Sequence, residues 1–503
     1  MSVMLNHQIC IIKILINMKL NLIKSSLLAS LALSIAFTSC KEDDVVVQPP
    51  VVQPPTSNIV ELTGSLKTQT LDATKKYLIK GTVVINDSVT VTIPAGTVLM
   101  GEKKTKGTLL IKKGGQLIAN GTESKPVVFT SNQDAGERDK GDWGGIVMLG
   151  KANCNQNNPA IEGITPAANY GSFQSTANDN DNSGTLKYVR IEYAGIALTP
   201  NNETNSLTMG GVGSGTTIEH VQVTYGGDDG FEWFGGTVNC KYLISYGTWD
   251  DDFDVDFGFS GKVQFGLAIR DPFAADQSGS NGFEVDNDAS GTTATPKTSG
   301  VFSNFTVLGP NHDSSSRSSF SGNYQHALHL RRNSEISIFN SVIAGFPIGL
   351  NLDGTLPNYE SGAGVLSNNI LVSSAVRGRA ARPFFNGVNA STPVQTYFLT
   401  TKSNVTFNQT SPLPTATPAY AKAFDDAGIP VALMLGYNTT SSPTGNYPTN
   451  PNLATFTGVT QTGAAFSDAK VSSWFTSTAF RGAFGGTDWT DNWSNFNPQN
   501  EAY

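Results

Sequence analysis

The stretch "GDDGFEWFGG" runs from Gly227 to Gly236, and two close variants follow it: "WDDDFDVDFG" from Trp249 to Gly258 and "NGFEVDND" from Asn281 to Asp288. Each variant carries a turn rich in Gly, Asp or Asn ahead of a quartet whose first and third residues are apolar. In an extended strand successive side chains alternate between faces, so those two residues point inward and the second and fourth point outward. Five quartets fall into register: Phe231-Glu232-Trp233-Phe234, Phe253-Asp254-Val255-Asp256, Phe283-Glu284-Val285-Asp286, Leu328-His329-Leu330-Arg331 and Leu350-Asn351-Leu352-Asp353. The reading predicts one outward column of Glu232, Asp254, Glu284, His329 and Asn351. Beside it stands a second column of Phe234, Asp256, Asp286, Arg331 and Asp353. A phrase that recurs together with its turn marks one coil of a stacked repeat before it marks a catalytic motif.

Other phrases support a stack. "LKYVRIEYAG", "IEHVQVTYGG" and "CKYLISYG" superpose Val189, Val221 and Tyr242, then Ile191, Val223 and Ile244, then Tyr193, Tyr225 and Tyr246. "FSNFTVLG", "IFNSVIAG" and "LSNNILVS" superpose Asn304, Asn340 and Asn368. In a parallel coil stack equivalent side chains lie one strand spacing apart, so the asparagines are expected to hydrogen-bond up and down their column. Spacings range from 21 residues (Val221 to Tyr242) to 36 (Asn304 to Asn340), which excludes a strict hexapeptide or nonapeptide repeat. The leucine-rich consensus is absent, and a propeller needs a regular blade of about 40 residues.

With 51 glycines, 15% charged residues and little helical periodicity, the fold class is all-β. The expected architecture is a right-handed parallel β-helix over residues 59–400, followed by a loop-rich cap over 401–503. "YAKAFDDAGIP" (Tyr420 to Pro430) reads as a short helix. The aromatic ending, with Trp474, Phe475, Phe480, Phe484, Trp489, Trp493 and Phe496, reads as a cover folded back over the last coils.

The phrases "IPAGTVLMG", "GGQLIANGTESKPVVFTS", "GDWGGIVMLGKA", "YGGDDGFEWFGGTVN" and "RGAFGGTDWTDNWSNFNPQNEAY" give the chain, from about Val91 onward, a wider likeness. Together they resemble a family of secreted or lipid-anchored bacterial β-helix proteins. The resemblance implies a fold and a location, and it supplies no catalytic residues.

The N-terminal segment points the same way. From Met18, taken as the start, Lys19 and Lys24 precede an apolar run from Leu27 to Phe37 and then small residues up to Cys40. That order is the pattern of a secretory signal, and the apolar run is too short for a membrane span. Residues 1–39 are therefore expected to be removed. Phe37-Thr38-Ser39-Cys40 resembles a relaxed lipobox, which implies lipid on Cys40. Lys41-Glu42-Asp43-Asp44 resembles a surface-export signal of outer-membrane lipoproteins, and the paired prolines up to Asn58 form an extended, semi-stiff tether. Loss of residues 1–39 removes three lysines and no acid, so the formal charge of −8 becomes −11. An acidic body argues against nucleic acid and in favour of cations. Cys154 and Cys240 remain, as either a disulfide or two buried thiols.

The acids then acquire chemical meaning. Like charges stacked one strand spacing apart repel by roughly 1 to 3.5 kcal/mol per pair. Calcium is the expected relief, because hard carboxylate oxygens converge at this spacing. The expected metal ligands are Glu232, Asp254, Asp256, Glu284 and Asp286; Asp228, Asp229, His329 and Arg331 are expected to bind ligand. Asp250, Asp251 and Asp252 occupy turns from which they could add oxygens.

Three readings compete. In one the strip is a solvated, partly ion-paired face with Arg331 and Arg332. In the second it is a binding or adhesion surface on a surface-exposed outer-membrane lipoprotein, holding a glycan through calcium with Tyr and Trp flanks. In the third it is a polysaccharide lyase or glycoside hydrolase on a β-helix scaffold. His326 and His329, three apart on a strand, are expected on opposite faces. "GGVGSG" (Gly210 to Gly215) is followed by no helix pattern and so cradles no phosphate.

Overall fold

The computed structural model describes residues 58–173, 176–199, 202–310, 320–373, 385–387, 391–407 and 461–503. The signal segment, Cys40, the acidic tether up to residue 57 and the expected helix at Tyr420–Pro430 lie outside the described residues.

Alternating apolar and polar residues make strands, and the strands wind. Thr217–Thr224, Phe231–Phe234, Asn239–Tyr246 and Phe253–Asp256 follow one another, and each pairs in parallel with the next but one. Among the described residues, repetition of this pattern gives a 26-stranded sheet coiled on itself, a right-handed parallel β-helix. Among the described residues helices are few, notably Leu356–Glu360 and Ser391–Thr401, and none is long and apolar enough to cross a membrane.

The quartets hold their expected register. Phe231, Phe253, Phe283, Leu328 and Leu350 pair in succession, as do Trp233, Val255, Val285, Leu330 and Leu352. All ten are at most 1% exposed. Their rings stack along the axis, with Phe231 and Phe253 centred 5.9 Å apart and Phe253 and Phe283 4.9 Å apart. Each such contact adds about 0.5–1.5 kcal/mol beyond the burial itself.

Each long strand bends at one residue with a positive φ. Tyr188, His220, Tyr242, Phe265, Asn304, Asn340 and Asn368 occupy this corner with φ between 48° and 66° (49°, 54°, 59°, 65°, 60°, 52° and 58°). The left-handed region is unfavourable for most L-residues, and asparagine tolerates it better than the others. The recurring asparagines therefore answer a backbone demand. Their amides do not pair directly with one another as expected: Asn340 donates to Ser303 Oγ (3.3 Å) and to Ala465 O (3.1 Å), and Asn304 donates to Phe480 O (2.9 Å). The aromatic members form a pile of their own, with centroids 4.4 Å (Tyr188–His220), 4.3 Å (His220–Tyr242) and 4.9 Å (Tyr242–Phe265) apart.

The tyrosine alignment needs one correction. Val189 pairs with Val221 and Ile191 with Val223, as expected, but Val221 then pairs with Leu243 and Val223 with Ser245. Tyr242 is taken by the left-handed corner, so "CKYLISYG" sits one residue out of the expected register. At the second bend the equivalent of Tyr193 and Tyr225 is Gly247 (φ 61°, 54° and 63°). Tyr246 still lays its ring on Tyr225, 5.4 Å away, above the Tyr193–Tyr225 contact at 5.6 Å.

Residues 461–503 run lengthwise along the aromatic corner instead of over the last coils alone. Three side-chain amides each make a reciprocal pair with the strap's backbone. Asn340 exchanges bonds with Ala465, Gln264 with Thr476, and Gln222 with Asn495. Trp493, fully buried, meets Tyr188 and His220 edge-on at 6.0 and 5.7 Å. Further along, Gln499 accepts from the Tyr193 hydroxyl (2.9 Å), the Tyr503 hydroxyl donates to the buried Glu192 (2.6 Å), and Lys76 donates to Tyr503 O. Cys154 and Cys240 are both free and buried.

Candidate functional site

The outward column assembles as the alternation requires: Glu232 beside Asp254, Asp254 beside Glu284, Glu284 beside His329, and His329 beside Asn351. Three residues before Glu232, Asp254, Glu284 and His329, and before Thr208, which pairs with Glu232 in the preceding coil, stands a second series at the turn: Asn205, Asp229, Asp251, Asn281 and His326. Oδ1 of each of the first four members accepts the backbone N–H of the next. Asp229 N donates to Asn205 Oδ1 (3.2 Å), Asp251 N to Asp229 Oδ1 (2.8 Å), Asn281 N to Asp251 Oδ1, and His326 N to Asn281 Oδ1 (3.1 Å). This ladder fixes the turn carboxylates rigidly against the strand carboxylates.

The side chains converge in three overlapping groups whose ligand atoms lie within 4.8 Å of one another: Asp228/Asp229/Asp250, Asp229/Glu232/Asp254 and Asp251/Asp254/Glu284. Asp229 and Asp254 are each shared by two groups. Asp229, Glu232 and Asp251 are buried, and Asp228, Asp250 and Asp254 are partly exposed. Burial first, then the neighbouring carboxylates, push Asp228, Asp229, Glu232, Asp251 and Asp254 well above the ordinary carboxylate range. Asp250 is pushed up to about 7 by burial and by Asp276 and Glu284.

The other expected ligands are placed differently. Asp286 is held by Arg331 (Nε to Oδ1, 2.8 Å) and by Arg332 (2.6 Å). Arg331 also grips Glu284, and His329 Nδ1 lies 3.3 Å from Glu284. Asp256 accepts its neighbour's N–H (Phe257, 2.6 Å) and stands outside the three groups. The strip therefore divides. Its lower end, at Glu284 and Asp286, is neutralised by Arg331 and Arg332. Among the described residues no ion pair forms at Asp228, Asp229, Glu232, Asp250, Asp251 or Asp254.

Two local expectations change. Asp252 turns inward instead of joining the strip: it is fully buried, 3.2 Å from the buried Arg270, and accepts from Ser245 Oγ (2.7 Å) and Thr248 Oγ1 (3.2 Å). Its position matches Gly230 and Gly282 of the flanking coils, where the chain crosses over the core. His326 and His329 share a face, with rings centred 4.1 Å apart, within the strand His326–Arg331, whose first residue is held by Asn281 of the preceding coil. His326 Nδ1 donates to Asn281 Oδ1 (2.9 Å), which leaves Nε2 to accept from Asn351 (3.3 Å).

The sequence reading missed Asn205 and Asn281. Asn205 donates to Glu232, and Asn281 donates to both Asp251 (3.4 Å) and Glu284 (3.2 Å). The available signal was their constant offset, since an Asn or Asp precedes the column residue by three in four consecutive coils.

Fold and site together define a right-handed parallel β-helix protein with a carboxylate-lined flank. The family profile described as pectate-lyase-like β-helix domain matches residues 64–421, and the chain belongs to that family. No curated protein and no solved structure matches the chain.

Proposed function

We propose that this chain is a polysaccharide-binding β-helix protein whose upper acid groups hold calcium, which in turn bridges to a glycan laid across the flank. One observation carries the reading. Three carboxylate groups, held by the turn ladder and sharing Asp229 and Asp254, meet within 4.8 Å, and among the described residues no ion pair forms at their upper members. Calcium takes six to eight oxygen ligands, so rigid monodentate carboxylates leave positions open for hydroxyl or carboxylate groups of a sugar. The family's likeness to pectate lyases supports a polysaccharide as the ligand. The location proposed with it is the cell surface, reached through lipid on Cys40.

Calcium added to chelator-treated protein should raise the melting temperature and permit binding of polygalacturonate, and Asp254→Asn should weaken both. An unchanged melting curve would reject the cation. Release of unsaturated or shortened products would move the assignment to a lyase or hydrolase, a reading favoured by the family and by Arg331 beside the acids. Against that reading, Arg331 is already committed to Asp286 and Glu284.

A further inference from the structure

Trp249 immediately precedes Asp250 and stands at the lip of the upper acid groups. Its backbone is clamped: N donates to Gly226 O (2.9 Å), and O accepts from Asp276 N (3.1 Å), Ser280 Oγ (3.0 Å) and Arg270 Nη2 (3.4 Å). The indole Nε1 donates to Asp276 Oδ1 (3.1 Å). With every polar group engaged, 39% of the residue is still exposed, whereas Trp143, Trp233 and Trp493 are fully buried. Counting back four from the paired Phe231, Phe253 and Phe283 gives Gly227, Trp249 and Gly279, so glycine stands at the matching position in both flanking coils. Beside the ring, Asp250 Oδ2 accepts from Ser278 Oγ (3.2 Å), while the buried Oδ1 has no hydrogen-bond partner.

A fixed ring presenting an apolar surface at the edge of a polar, acid-rich turn suits a ligand with one C–H face and a rim of hydroxyl groups. A pyranose ring has both. Resting on the polysaccharide reading above, we infer that Trp249 is a sugar-stacking platform that carries a pyranose unit next to the partly exposed Asp250. Apolar stacking needs no metal, so this contact adds to the calcium-bridged one and orients the chain along the strip.

The test uses the full chain, with polygalacturonate and a neutral β-glucan as probes, and follows binding by titration and tryptophan fluorescence. Trp249→Ala should weaken binding of the probe that wild type takes by about tenfold. Trp249→Phe should largely restore it, and the calcium-induced melting shift should be unchanged in both variants. Wild-type fluorescence should change on binding, and that change should vanish in Trp249→Phe. Equal binding by wild type and Trp249→Ala would overturn the platform while leaving the calcium reading intact. Wild-type binding to neither probe, with the calcium shift preserved, would overturn the platform and the polysaccharide but not the cation. Loss of the calcium shift in Trp249→Ala would make the ring a support for the acid turn and would also overturn the platform.

Discussion

The β-helix stacks like on like along two of its edges, with opposite results. At the corner of Tyr188, His220, Tyr242 and Phe265 the rings lie 4.3–4.9 Å apart, and the 461–503 strap covers them. At the turn and strand of Asp229, Glu232, Asp251 and Asp254 the stacked groups are carboxylates, and no part of the strap bonds to them. Rings gain from each repetition, through contact and through burial of apolar area. Carboxylates lose with each repetition, through repulsion and desolvation. A stack of coils makes both kinds of column equally easy to build. The aromatic column is therefore completed from within the chain, whereas no part of the strap completes the acid column, which is where calcium is proposed to bind.

The largest effect should come from the covered edge. Trp493→Ala removes the ring that closes the pile and should cost about 3–5 kcal/mol in urea unfolding, equally with and without calcium. A loss below about 1 kcal/mol would mean that the strap does not complete that edge. The open edge should respond next. Calcium at a hundredfold excess over its Kd should add about 2.7 kcal/mol, and Asp229→Asn with Asp254→Asn should remove most of that gain.

Without metal the pH dependence has a fixed sign. Carboxyls whose pKa is raised by folding bind more protons folded than unfolded, so their contribution is full below about pH 4 and is lost as pH rises through the folded value, about 7 for Asp250. Metal-free protein should therefore melt lower at about pH 8 than at about pH 5, and calcium should reverse the order. A flat profile would make the acid column an ordinary solvated surface.

Smaller changes sharpen the contrast. Asn340→Leu puts a residue less tolerant of the left-handed corner at φ 52° and loses both bonds to Ala465, and it should cost about 1–3 kcal/mol, read by thermal or urea unfolding. Arg332→Ala breaks a pair with Asp286 whose arginine is 43% exposed, and it should cost at most about 1 kcal/mol. A larger loss would show that the neutralised end of the strip holds the coils together.

Strand alternation made the quartets legible, because inward Phe, Trp, Val and Leu leave one choice of face. The sequence therefore placed Glu232, Asp254, Glu284, His329 and Asn351 in one column. It failed where the chain leaves the strand. The slip at Tyr242 comes from a left-handed residue that no alternation pattern shows. The inward turn of Asp252 depends on Arg270, just past the strand Lys262–Ile269 and eighteen residues away in sequence. The two histidines share a face because His326, first in its strand, is held by Asn281 of the preceding coil. The Gln222, Gln264 and Asn340 pairs join residues more than a hundred positions apart, beyond the reach of any local pattern.

The strap also changes how the coils come apart. In a linear stack each coil touches only its neighbours, so the ends fray first and opening spreads inward coil by coil. Here one segment reaches from Asn340 to Lys76, and the first coils cannot leave without also detaching it from the late ones. Amide hydrogens of the strands between these two points should exchange as one cooperative unit, with protection nearly level along the axis.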